Sequence, residues 1–175
     1  PNPVHVFESV NTFDVTLTVK EKTAPFASTL KTFTIRTGVT PPHSIIDSPS
    51  ETLRYVIGEP VQFSGHSDPA TGVSMTWSIL QHHNLHDHLV SEVSGSGGSF
   101  IPEEHCDNCS YAVCLMTTGG TGLIDQKCRP ILPKTTPYTF SSVPMGASIA
   151  YIDEEKELLA PYTVYPIVGS RQTIR

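Results

Sequence analysis

The chain has 175 residues and a formal net charge of −6 at pH 7. It contains only 11 Lys and Arg residues and no basic stripe, which gives no electrostatic case for nucleic-acid binding. No run of about 18 apolar residues is present, so the sequence predicts no membrane insertion.

The first predicted elements are two strands, at 12–20 and 28–37. In the first strand, Phe13, Val15 and Leu17 alternate with polar residues, which is typical of a half-buried strand with one solvated face. The stretch 38–49 has the composition of a linker, with Gly and paired Pro. We therefore expect a domain boundary near residue 40.

The middle of the chain predicts about seven short strands in roughly 90 residues, the number expected of an immunoglobulin-like β-sandwich. These strands are separated by Gly, Pro and Ser turns, and the sequence predicts them at 52–58, 60–66, 73–80, 99–102, 110–118 and 122–131. Trp77 has the position of a buried core tryptophan. The remaining 40 or so residues contain short strands around an acidic turn, too few for a large core of their own.

The four cysteines lie within 23 residues, which favours disulfides in an oxidising compartment. Three pairings are open. We favour a cross-strand bridge between Cys114 and Cys128, because the turn 117–123 lies between them. Cys106 and Cys109 would then pair locally or remain free. Asn108 begins a glycosylation sequon, "NCS", which indicates the same compartment.

The N-terminal stretch "NPVHVFESVNTFDVTLTVKEK" resembles the second half of a PKD domain. The residues that stand in the PKD pattern are Pro3, His5, Phe7, Thr12, Phe13, Val15, Thr16, Leu17, Thr18 and Val19. The "WDFGDG"-type motif of the first half is missing. Residues 1–38 are therefore interpreted as the C-terminal half of a PKD-like sandwich. Because the chain begins at Pro1, we expect it to be a processed or excised piece of a longer protein.

Residues 39–133 resemble the Ig-like module that follows glucose/sorbosone dehydrogenase-like domains in secreted proteins. The matching pieces include "GEPVQFSGHSDPATG", "WSILQHH", "HDH" and "GSFIPEEH", although Leu89 stands where that family usually has Pro. Residues 134–175 resemble a PEGA-like β module in "VPMGA". The resemblance implies an all-β chain of tandem immunoglobulin-like (PKD-like) β-sandwich modules.

The histidine-rich segment 82–88 is the strongest candidate site. Side chains on a strand alternate, so His86 and His88 share a face, and His82 has the same parity. With His105, these residues form a candidate Zn or Cu site, in which Asp87 and Glu103 would orient the imidazoles. The alternative is a structural cluster in which the histidines bond to backbone and to one another.

Other candidate sites carry weaker signals. No "G-x-S-x-G" elbow is present. Cys106 and His105 are adjacent and of the residue types that form a Cys–His nucleophile pair, but clustered cysteines in a secreted module are far more often disulfides. The carboxylates at 103–104 and 153–155 are expected in solvated loops. Exposed aromatics could form a carbohydrate-stacking platform, for which the candidates are Tyr111, Tyr138, Tyr151, Tyr162 and Tyr165.

The sequence therefore predicts a protein that is not an enzyme. We expect a secreted structural or adhesion module, a spacer or building block of a surface appendage, fibre or matrix. Its expected partners are neighbouring domains or identical subunits, and possible glycans. The alternative function is a carbohydrate- or metal-binding accessory domain of a secreted sugar dehydrogenase-like enzyme. Apart from the candidate Zn or Cu ion, no cofactor is expected.

Overall fold

A computed structural model describes residues 3–24, 26–83, 86–105, 109–151 and 156–174. The regular elements in these ranges are all β-strands, which confirms the predicted all-β class. The described residues contain no helix of the length and hydropathy needed to cross a membrane. The chain divides into two compact units, Pro1–Pro41 and Pro42–Arg175.

The first unit is an antiparallel hairpin. It consists of β1, Thr12–Lys20, and β2, Ser28–Arg36, which match the two predicted strands within one residue. Val15 pairs with Phe33, and Phe13 pairs with Ile35 at one end of the ladder. In this register the apolar residues of β1 share one face with Phe33 and Ile35 of β2, whereas Leu30 lies on the opposite, mostly polar face.

The apolar face of this hairpin is largely open to solvent. Leu17 is 47% exposed, Val19 56% and Phe33 44%. The polar face is tied together by hydroxyl groups, among them those of Thr16 and Thr32, whose oxygens are 2.9 Å apart. A two-stranded ribbon of this kind is marginally stable without further packing.

The second unit holds the main core, built from two sheets. The strands of the larger sheet are β4 (Arg54–Tyr55), β6 (Val73–His83), β7 (His86–Ser94), β9 (Ser110–Gly119) and β10 (Ile124–Pro133). The smaller sheet contains β3 (His43–Ser48), β5 (Val61–Asp68) and β8 (Gly97–Phe100). The spatial orders are β4-β10-β9-β6-β7 and β3-β5-β8.

The two sheets share one hydrophobic core, an arrangement consistent with a β-sandwich. Trp77 of β6 is fully buried and its ring packs on Phe63 of β5, with centroids 4.9 Å apart. The Trp77 indole Nε1–H donates to the Gly95 carbonyl at 3.1 Å, so its polar atom is satisfied as it must be in a core. Other core residues come from both sheets: Ile46, Val61, Ile79, Phe100, Val113, Leu115 and Ile131.

Three strand assignments differ from the sequence expectation, and one of them is β7, which lies in a stretch without a predicted strand. The supposed linker contains β3, because Ile46 packs in the core and Ser44 is fully buried. Ser44 forms a clamp between the sheets: its N–H donates to Asp125 Oδ2 at 2.6 Å, and its hydroxyl lies 2.9 Å from that of Thr117. The predicted strand at 52–58 is reduced to the two residues of β4.

The expected bridge between Cys114 and Cys128 is present. The two cysteines are directly opposite each other on β9 and β10, and their Cα atoms are 4.0 Å apart. Cys109 is also disulfide-bonded and is 2% exposed. Cys106, its candidate partner, lies outside the described residues.

The C-terminal segment is part of the second unit, although the sequence favoured a separate module at 134–175. Its described strands are β11 (Tyr138–Phe140), β12 (Ser148–Tyr151), β13 (Lys156–Leu159) and β14 (Tyr162–Val164), paired as β11-β14 and β12-β13. Ile167 joins the core of the sandwich, and the Ile57 N–H donates to the Val168 carbonyl at 3.0 Å. A segment of this length lacks a large core of its own and packs on its neighbour.

Candidate metal centre

The histidine-rich segment lies at the end of the hairpin formed by β6 and β7. Trp77 and Ile79 of β6 are fully buried on the core side. Side chains alternate along a strand, so Gln81 and His83 continue the same face beyond the last buried layer. His83 therefore lies on the inner side of the sheet, at the end of the sandwich.

A β-bulge decides which face His88 takes. The pairing of β6 with β7 passes over Val90 next to Ile79. A bulge of this kind changes the face on which the following residues lie relative to the partner strand. His88 consequently pairs with Gln81 on the inner face. A regular ladder would have placed it opposite His82 on the outer face.

Three histidines from two parts of the unit meet at this end of the sandwich. His83 lies on β6, His88 on β7 and His105 in the segment that follows β8. One ring nitrogen from each lies within 4.8 Å of the other two. The Nε2 atoms of His83 and His88 are 2.7 Å apart, a hydrogen-bond distance. We call these three residues the three-histidine site. Two of them belong to the larger sheet, and the third belongs to the segment that follows the last strand of the smaller sheet.

A buried tyrosine fixes the spacing of these two parts. The Tyr111 hydroxyl accepts hydrogen bonds from Gln81 Nε2 at 3.0 Å and from the Glu103 N–H at 3.2 Å. Tyr111 is 2% exposed, and burial raises the pKa of its hydroxyl. Gln81 and Glu103 each stand two residues before a histidine of the site. One hydroxyl therefore sets the distance between His83 and His105.

Two further contacts hold the segment that carries His105. Gly58 has a left-handed backbone, with φ of 79°, and its N–H donates to the Pro102 carbonyl at 2.9 Å. A residue with a side chain is rarely found in this conformation, so glycine suits the turn. The Glu104 carboxylate accepts a hydrogen bond from the Arg171 N–H at 2.5 Å. His105 is thus presented from a segment anchored at several points.

The neighbouring rings favour a neutral imidazole at His83. Loss of contact with water lowers the pKa of His83, and the positive charges that His86, His88 and His105 carry when protonated lower it further. The neutral imidazole is the form that binds a metal ion. The surroundings of His83 therefore favour the neutral form of its ring.

The structure brings together two of the four predicted ligands, His88 and His105, and supplies His83 instead of His82. His82 lies on the outer face of the hairpin. The sequence argument counted parity through the turn as if the strand were continuous. Pairing across the hairpin restarts that count, because His83 lies opposite His86. The pairing of His83 with His86 puts these two residues on one face.

The two carboxylates expected to orient imidazoles have different roles. The Asp87 Oδ1 atom contacts His82 Nδ1 on the outer face, away from the three-histidine site. Glu103 uses its backbone N–H and carbonyl oxygen toward the Tyr111 hydroxyl. Neither role was apparent from the sequence, because each depends on the hairpin register.

The aromatic candidates do not share one environment. Tyr111 and Tyr151 are each 2% exposed, whereas Tyr138 is 56% and Tyr165 64% exposed. Tyr162 is half-buried on β14. Asn108 and residues 153–155, also named as candidates, lie outside the described residues.

Comparison with known proteins identifies no relative: no protein-family model, curated protein or solved structure matches the chain. The site must therefore be interpreted from its own geometry.

Proposed function

We propose that the chain is a non-catalytic structural module of a secreted protein, and that its larger unit binds a Zn²⁺ or Cu²⁺ ion through His83, His88 and His105. The observation that carries the proposal is the set of three ring nitrogens within 4.8 Å of one another. The disulfide between Cys114 and Cys128 supports an oxidising compartment.

The donor set favours a transition metal. Imidazole nitrogens suit Zn²⁺, Cu²⁺ and Ni²⁺, whereas Ca²⁺ and Mg²⁺ prefer oxygen ligands. Zn–N bonds of 2.0–2.1 Å in tetrahedral geometry put ligand nitrogens about 3.3 Å apart. The Nε2 atoms of His83 and His88 are 2.7 Å apart and the third nitrogen lies within 4.8 Å. Small movements that separate the His83 and His88 rings and bring the third ring closer would place all three nitrogens at coordination distance.

The bound ion would act as a cross-link between the sheets. His83 and His88 belong to the larger sheet, and His105 follows β8 of the smaller one. Any ion that binds only the folded state stabilises it, by about 2.7 kcal/mol when its free concentration is 100 times the dissociation constant. A structural module exposed to mechanical load would gain from such a link at the end of its core.

The test combines two measurements. Calorimetric titration of the chain with Zn²⁺ and with Cu²⁺ gives stoichiometry and affinity, and thermal unfolding is followed with and without metal. One equivalent should bind and raise the melting temperature. His83→Ala, His88→Ala and His105→Ala should each weaken binding by at least about 100-fold, the upper end of the effect of losing an outer-shell partner. His82→Ala is the matched control, since it removes a neighbouring imidazole from the opposite face and should bind as wild type. Equal losses in all four variants, or no stoichiometric binding in wild type, would refute the site.

A second function is favoured by the first unit. The hairpin of β1 and β2 exposes apolar side chains along one face and leaves strand edges unpaired, features that proteins normally cover. We propose that this face packs against identical subunits in a fibre or matrix. Sedimentation of wild type should show association that rises with concentration, and Leu17→Thr with Phe33→Thr should reduce it. A wild-type chain that stays monomeric at high concentration would contradict this role.

A further inference from the structure

A fourth imidazole borders the three-histidine site. His86 begins β7 and pairs directly with His83 across the hairpin. It also precedes His88 by two residues, so the two side chains share the inner face. The His86 ring lies edge-on to both neighbours, with centroids 4.1 Å from His83 and 5.0 Å from His88. Its nitrogens are not among the three that lie within 4.8 Å of one another.

Two nearby acidic side chains have other partners. Asp87 faces the outer side, where it contacts His82, and the Glu104 carboxylate accepts the Arg171 N–H. His86 is exposed and lies at the end of a strand, so its side chain can change rotamer without moving the core. A tetrahedral ion held by three imidazoles has one coordination position left. The His86 ring is in contact with two of these three imidazoles and can approach that position.

We propose that His86 supplies the fourth nitrogen, so that four imidazoles enclose the ion and leave no position for water. This inference rests on the metal-binding function proposed above. Its consequence is chemical: a catalytic zinc site keeps an open position for water or substrate, whereas a structural site is closed by protein ligands. His86 is then the residue that makes the site structural.

The geometry explains why the three other rings do not need His86 in order to meet. His83, His88 and His105 are held by the register of β6 with β7 and by the Tyr111 hydroxyl. Among the described residues, the Tyr111 hydroxyl contacts the residues that precede His83 and His105 and makes no hydrogen bond near His86. We therefore expect His86 to join the ion last, by rotation of its side chain, and to contribute less affinity than the other three ligands.

The experiment uses Co²⁺ as the probe, because its visible d–d absorption reports coordination number and exchangeable ligands. Full-length wild type loaded with one equivalent of Co²⁺ should show a tetrahedral spectrum that does not change when azide is added. His86→Ala should still bind Co²⁺, but azide should now shift the spectrum by filling the opened position. His82→Ala should behave as wild type in both measurements.

Zinc affinity gives a second readout. His86→Ala should weaken Zn²⁺ binding by about 10-fold, the lower end of the effect of an outer-shell partner, and less than His83→Ala does. Metal-free His86→Ala should melt at the same temperature as metal-free wild type, because the residue is exposed. A lower melting temperature of the metal-free variant would identify a misfolded sample. If wild type responds to azide as His86→Ala does, the site is open and the inference fails while the metal site stands. If neither protein takes up Co²⁺ or Zn²⁺, the proposed function itself fails.

Discussion

His82 and His83 are consecutive residues whose imidazole rings lie on opposite faces of one hairpin. His82 contacts Asp87 on the outer face, and His83 meets His88 and His105 at the end of the core. A property that depends on the number of histidines would respond equally to the loss of either residue. A property that depends on the three-histidine site should change on loss of His83 and not on loss of His82. His82→Ala is therefore an internal control for each experiment on the site.

The Tyr111 hydroxyl should control metal affinity without touching the metal. Tyr111→Phe leaves the Gln81 amide and the Glu103 N–H without their acceptor, and a buried donor without a partner costs about 1–3 kcal/mol. We expect lower stability in urea unfolding. We also expect about 10-fold weaker Zn²⁺ binding, the lower end of the outer-shell range, because the segment carrying His105 loses its fixed distance from β6.

Tyr138→Phe is the control for this prediction. Tyr138 is 56% exposed on β11, so removing its hydroxyl should alter neither unfolding nor Zn²⁺ affinity. A Tyr111→Phe variant that loses stability but binds Zn²⁺ as wild type would show that the hydroxyl holds the fold and not the site.

The sequence predicted the parts of the fold that depend on local pattern. Strict alternation located β1, the stretch 28–37 was predicted as its partner strand, and the turn at 117–123 led to the bridge between Cys114 and Cys128. The strand β3 was missed because its composition is that of a linker. Its place in the sheet depends on Ser44 reaching Asp125, which is 81 residues away in the chain. No local pattern contains such a contact.

The candidate site was predicted in kind but not in membership. The clustering of histidines indicated imidazole chemistry, and His88 and His105 are part of the geometric group. His83 was excluded because residue parity does not continue through a hairpin turn. The bulge at Val90 changes the pairing of β7 once more, and an extra residue in a ladder has no distinctive composition. Register, and not residue type, separates the three clustered histidines from their neighbours.

The clamp between Ser44 and Asp125 should make stability depend on acid pH. The pKa of the Asp125 carboxyl is lowered, first by the hydrogen bond from the Ser44 N–H. A carboxyl with a lower pKa in the folded state binds fewer protons there than in the unfolded chain, so its stabilising effect is present above the unfolded value. That effect should be lost as pH falls below 3.8, the ordinary value, toward the depressed folded pKa.

Asp125→Asn provides the measurement. The neutral amide oxygen accepts a weaker hydrogen bond than a carboxylate does. The difference in melting temperature between wild type and Asp125→Asn should be largest near neutral pH and should shrink as pH is lowered well below 3.8. A difference that stays constant over this range would mean that the charge of Asp125 does not stabilise the clamp.

Removal of the bridge between β9 and β10 should weaken the fold and spare the metal site. Cys114 and Cys128 are 14 residues apart, and closing a loop of about 15 residues contributes about 3 kcal/mol in the chain-entropy description. The double variant Cys114→Ala, Cys128→Ala should therefore unfold at a lower urea concentration. Its Zn²⁺ stoichiometry should stay at one, since the three ligands lie on β6, β7 and the segment after β8. Unchanged unfolding would show that the cross-strand pairing alone holds this hairpin.

Gly65 lies where the smaller sheet packs closely on Leu115 and Trp77 of the larger one, and it should not accept a side chain. A Cβ atom there would lie 2.4 Å from the Ile45 carbonyl oxygen and 3.0 Å from both the Leu115 and Trp77 side chains. The backbone of β3 and the core tryptophan would both have to move, so Gly65→Ala should destabilise the unit by roughly 1–3 kcal/mol, the usual effect of overpacking. Gly120→Ala is the matched control, because its nearest contact would be an ordinary 3.6 Å. Equal unfolding midpoints for the two variants in urea would show that the sheets can separate at Gly65 without loss of packing.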